Sequence, residues 1–103
     1  MLLKPNNKNT VPPGSVKIEA DIINITPGKG GSQYCTILIK EIIEYGHSTP
    51  PVSPGSKILV SVPQSIYNEH KIEKDKSYLL VIKNIIERQT ENKQQNWLII
   101  SIE

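Results

Sequence analysis

An all-β domain is expected, on three observations. Seventeen isoleucines and six valines stand against one alanine, one methionine and no phenylalanine; branching at Cβ restricts χ1 and favours a pleated backbone over a helix. Eight prolines and six glycines cut the chain into short pieces. Between those breaks apolar residues recur at every second position, the period of a strand with one face buried. The 103 residues are the length of one ordinary domain.

The elements follow in order. Residues 1–14 hold three prolines, three asparagines and no apolar periodicity, so a flexible leader is expected there and a single domain over 15–103. The first strand spans residues 16–25: Val16, Ile18, Ala20 and Ile22 alternate with Lys17, Glu19 and Asp21. Turn residues Pro27-Gly28-Lys29-Gly30-Gly31-Ser32 end it. A long second strand runs over residues 33–45. Cys35, Ile37 and Ile39 share one phase, which Ile42 and Ile43 break; a bulge near Lys40-Glu41 that bends the strand accounts for the change. Residues 46–56 form a proline-rich loop that cannot pair in a sheet centre. The third strand, 57–62, turns Ile58, Val60 and Val62 inward, and Pro63 ends it. Residues 64–76 are compatible with one or two helical turns or an irregular loop. Strands four (77–86) and five (96–102) flank the wholly polar residues 87–95, an exposed hairpin loop.

Three strands, a short helical or irregular insert, then two strands is the order of the five-stranded OB-like Greek-key barrel (the oligonucleotide/oligosaccharide-binding type). Closure is favoured because a small open sheet leaves two exposed edges.

Four stretches carry a resemblance to a known family: Ala20-Asp21-Ile22-Ile23; Gln33-Tyr34-Cys35-Thr36-Ile37-Leu38-Ile39 leading into Lys40-Glu41-Ile42-Ile43; Gly55-Ser56-Lys57-Ile58-Leu59-Val60; and Asp75-Lys76-Ser77-Tyr78-Leu79-Leu80-Val81. Together these short, mostly apolar motifs are similar to the netrin-like (NTR) branch of the OB barrels, which includes the tissue inhibitors of metalloproteinases. Inhibitory members resemble one another in an N-terminal cysteine that chelates the protease metal and in several disulfides. This leader holds no cysteine, and Cys35 lies mid-strand. The resemblance therefore implies a fold and a role as an extracellular or envelope interaction module, not metalloprotease inhibition.

Composition narrows the chemistry. A formal charge of +2 does not by itself point to nucleic acid or lipid. The longest apolar run, residues 78–82, is far too short to span a membrane. One cysteine excludes an internal disulfide framework and a multi-cysteine zinc site. Its phase with Ile37 and Ile39 makes Cys35 a buried, inert thiol. His70 and Glu73 would share a helical face, but two lysines interleave and no second histidine lies at metal-ligand spacing, so residues 69–75 read as a solvated charged loop. His47 reads as an exposed loop residue. Gly28-Lys29-Gly30-Gly31-Ser32 lacks the order of a phosphate-binding loop, whose lysine follows the glycines and opens a helix. Asn24-Ile25-Thr26 matches a glycosylation acceptor, a triplet that chance supplies often, and Pro27 follows it directly. No catalytic motif, metal or cofactor set is found, and no enzymatic activity is expected.

Barrels of this order commonly bind across strands two and three, between the one-two and four-five loops. Those loops carry Lys29 on one side and Arg88, Lys93, Gln94 and Gln95 on the other. Tyr34 and Trp97 offer flat rings; Trp97 shares its phase with Ile99 and Ser101, so a half-buried ring is expected. The candidate ligand-binding set is Lys29, Tyr34, Arg88, Lys93 and Trp97, against the simpler reading that both rings cap the barrel ends. The expected function is a non-enzymatic binding module that engages a protein partner in the cell envelope or outside the cell. The alternative is a single-stranded nucleic-acid-binding barrel. Export requires a signal upstream of this segment, since Leu2-Leu3 is too short an apolar block to be one; otherwise the chain is cytoplasmic.

Overall fold

The structure, a computed structural model, describes residues 11–85 and 96–103. Its five strands are β1 (Ser15–Pro27), β2 (Gln33–Tyr45), β3 (Lys57–Val62), β4 (Ser77–Ile85) and β5 (Asn96–Ile102), with one helix, α1 (Gln64–His70), between β3 and β4. The strands close into a barrel in the order β1-β2-β3-β5-β4 and back to β1. All pairings are antiparallel except β3 with β5, which run parallel through Val60↔Trp97 and Ser61↔Leu98. This is the all-β OB-like barrel that the element order predicts.

The alternating residues fill the inside. Ile18 and Ile22 of β1, Ile37 and Ile39 of β2, Ile82 of β4 and Ile99 of β5 are fully buried in one cluster. Their packed branched side chains fill the interior of so small a barrel. The insert resolves as the short helix: Ile66 and Tyr67 pack on the core cluster, and Ile72 just beyond is buried in it. Lys71 ends the helix in the left-handed region (φ 51), its N–H bonded to the Tyr67 carbonyl.

Register shows how the long strands bend. Glu19 pairs with Glu41 and Ala20 with Ile39, so Lys40 is the extra residue of a bulge, at the position where the apolar phase breaks. Further shifts leave Ile43 on β2 and Ile23 on β1 without opposites. The bulge brings Lys40 Nζ to 3.7 Å from Asp21 Oδ1, and Ser77 Oγ donates to the same oxygen from β4.

Among the described residues packing extends to Val11, inside the segment expected to be a flexible leader. Val11 is 5% exposed, Gly14 N–H donates to the His47 carbonyl at 2.7 Å, and Asn84 N–H donates to the Gly14 carbonyl at 2.8 Å. Gly46 permits this: a Cβ there would stand 2.0 Å from the Pro12 carbonyl oxygen. Residues 1–10 lie outside the described part.

Candidate binding wall

With the interior filled, recognition falls to the outer surface. The register across β1, β2 and β3 aligns the outward side chains in rows. Thr26 lies opposite Tyr34, Tyr34 opposite Ser61, and Ser61 opposite Leu98 of β5, which faces Lys83 of β4. The next row is Asn24, Thr36 and Leu59; the third is Asp21, Leu38 and Lys57. Each row alternates in phase with the buried Cys35, Ile37, Val60 and Val62, so the same pleat that fills the core builds this wall.

Leu59 stands on β3, at the end of the middle row and between Lys57 and Ser61 along its strand, with 57% of its surface exposed, the largest value among the exposed large apolar side chains. Apart from Lys57 beside it, the wall around Leu59 is uncharged: Asn24, Thr26, Tyr34, Thr36, Leu38, Ser61 and Leu98. Charge is confined to the rim. Lys57 and Lys83 are exposed there, and Asp21, the one carboxylate among the described wall residues, is engaged by Ser77 and faces Lys40. Leu59 is not among the sequence-based candidates, although the alternation that turns Ile58, Val60 and Val62 inward turns it outward.

The five expected site residues fare differently. Tyr34 sits half-buried in the wall. Lys29 belongs to a short 3-10 turn, residues 29–31, closed by a bond of 2.8 Å from Gly28 N–H to the Ser32 carbonyl. Arg88 and Lys93, with Gln94 and Gln95, lie outside the described residues. Trp97 faces inward and is only 5% exposed, so its ring is not offered to the wall. The expectation of a half-buried ring rested on the shared phase of Trp97, Ile99 and Ser101. A register shift between Val81 and Ile82 of β4 leaves Ile100 without an opposite, and the phase changes after Ile99: Ile102 is buried and Ser101 exposed.

Cys35 is fully buried, and burial pushes its thiol up from 9.0 to about 11, away from nucleophilic character. No group of three His, Cys, Asp or Glu side chains is arranged to hold a metal ion among the described residues. His70, the last residue of α1, stands 3.8 Å from Glu69 at the surface. His47 lines a cleft of about 200 Å³ with Val11, Glu44, Tyr45 and Gly46, beside the N-terminal packing segment. Among the described residues no helix is long and apolar enough to cross a membrane. Compared with protein-family models and with curated protein sequences, the chain matches none.

Proposed function

We propose that this chain is a non-enzymatic binding module that engages a protein partner through the wall formed by β1, β2 and β3. The observation that carries the reading is Leu59: a large apolar side chain held outward on β3, beside the Lys57 cation and next to a largely uncharged patch. Interfaces place apolar anchors at the centre and charge at the rim. Full burial of a leucine side chain contributes on the order of 1.5–3 kcal/mol, so covering the exposed part of Leu59 supplies a useful fraction of that. The netrin-like resemblance supports the same role, proposed for the envelope or outside the cell.

A photo-crosslinking residue at position 59 tests the reading in the native host. Discrete adducts are expected from position 59 and not from Glu41, on another part of the barrel surface. Leu59→Lys should remove the partner while leaving the fold intact, because the position is exposed. The same adducts from both positions, or none from 59, would overturn it.

One feature favours a second reading. The half-buried ring of Tyr34 shares the outer face with exposed Lys57, two rows along, and Lys83, three strands across, and a ring on a face that carries cations suits single-stranded nucleic acid. Fluorescence anisotropy with short labelled oligonucleotides distinguishes the two. Nucleic-acid binding must weaken steeply between low and physiological salt, whereas no binding at low salt leaves the protein partner.

A further inference from the structure

Closing a barrel removes strand edges, yet β1 runs past the closure. It pairs with β4 only from Ser15 to Asp21, and Ile22 adds the last bonds: its N–H to the Lys76 carbonyl at 2.9 Å, its carbonyl from Asp75 N–H at 2.7 Å. At the Ile23 bulge the strand leaves β4 and continues to Pro27 with β2 alone. The alternation of antiparallel bonding then fixes which groups face outward. Gly28 N–H bonds the Ser32 carbonyl, so Thr26–Tyr34 and Asn24–Thr36 are the bonded pairs of the ladder. Ile25, opposite Cys35, sends both its N–H and its C=O away from β2. Among the described residues no hydrogen bond meets them there.

Natural proteins blunt such edges with lysine, proline or a covering segment. This one carries Ile23-Asn24-Ile25-Thr26, uncharged and mostly β-branched, with a proline only at its end. We propose that this edge pairs antiparallel with the same edge of a second copy, forming a two-fold dimer centred on Ile25. The occupant is a second copy because the strip is self-complementary. With Ile25 opposite Ile25, the two chains exchange two central N–H···O=C bonds. Asn24 then faces Thr26 of the other copy on the outer side, a polar pair, and no like charges oppose one another. The dimer joins β3-β2-β1 of each copy into one six-stranded sheet and sets two Leu59 walls side by side on one face. The pairing does not depend on what those walls bind.

The register gives a discriminating test on the full chain. Asn24 and Thr26 of opposite copies form a non-hydrogen-bonded pair, with Cα atoms about 4.5 Å apart, inside the range a disulfide spans. Two copies of Asn24 lie two positions out of register, about 8 Å apart and beyond that range. Asn24→Cys and Thr26→Cys chains, mixed under oxidised glutathione, should yield a linked dimer that neither variant forms alone. Both positions are exposed, and the native Cys35 is buried and does not compete. Sedimentation equilibrium of the unmodified chain should show mass rising from 11.5 kDa towards twice that value with concentration. Asn24→Lys with Thr26→Lys should weaken the association at least about tenfold, by opposing like charges across the edge. A chain that stays monomeric at every concentration, single variants that link as well as the mixture, or a double-lysine variant that associates as strongly as the unmodified chain would each overturn the proposal. The first of these outcomes would assign the edge to a strand from another protein.

Discussion

Cys35 lies opposite Ile25 on β1 and Val60 on β3, with no surface exposed. An ionised sulfur there would lose its hydration with nothing to replace it, which is why burial alone lifts its pKa to about 11. The consequence for stability has a definite sign. Between pH 9 and 11 an unfolded chain gives up the thiol proton while the folded chain keeps it, so the folded state binds more protons and stability falls as pH rises through that window. The contribution approaches about 2–3 kcal/mol once both pKa values are passed. A Cys35→Ala variant lacks this component, so its stability should decline less over the same window, measured by urea unfolding at each pH. In the native protein near neutral pH a thiol reagent should label Cys35 only at the rate of opening or unfolding, and addition of denaturant should release full reactivity. Rapid labelling without denaturant would show that the sulfur is accessible.

Between β2 and β3 the loop of residues 46–56 solves an edge problem. β3 starts at Lys57, opposite Leu38, so β2 continues from Ile39 to Tyr45 without a strand on that side. The loop is tied to β2 at two places instead. Gly55 N–H donates to the Ile39 carbonyl at 2.6 Å; farther along, Tyr45 Oη donates to the Val52 carbonyl at 3.1 Å and accepts from Val52 N–H at 3.0 Å. Pro50, Pro51 and Pro54 bring no N–H with which to start a ladder. Tyr45→Phe removes both bonds to Val52, and a destabilisation of about 0.5–1.5 kcal/mol is expected. Amide exchange at Val52 should speed up well beyond what that global loss explains; unchanged exchange would mean that packing, not the phenol, holds the loop. This element also shows what sequence carries and what it does not. The bulge at Lys40 is legible because an apolar phase visibly breaks between Ile39 and Ile42. The bulge at Ile100 is not, because Trp97 to Ile100 is apolar in both phases and either reading satisfies a period of two. Tyr34 was legible as a wall residue from the element order, whereas Leu59, within Lys57-Ile58-Leu59-Val60-Ser61-Val62, reads as one more core residue unless its phase is followed.

Closure of the whole barrel is unevenly supported. β1 pairs with β2 along its length and with β4 over seven residues, but β3 meets β5 through two residue pairs only. A seam that short gains little from its ladder, and side chains crossing it must supply most of its strength. Trp97 is the largest of them: it sits opposite Val60 across the seam and opposite Asn84 on β4, nearly fully buried in the core cluster. Trp97→Ala should cost about 3–5 kcal/mol, the range for a large aromatic removed from a core. That is a large part of the about 5–15 kcal/mol that holds a domain together. Leu59→Ala, one residue from Val60 but facing outward, should stay within about 0.5 kcal/mol, so the pair of variants separates burial from position in the chain. Trp97 is also the single tryptophan, and its fluorescence reports on the seam while far-ultraviolet circular dichroism reports on all five strands. If the core closes the barrel as one unit, both signals follow a single coincident urea transition. A fluorescence change at lower urea than the loss of strand signal would show the β3–β5 seam opening before the rest, and the barrel would then be an open sheet held shut only in its most stable state.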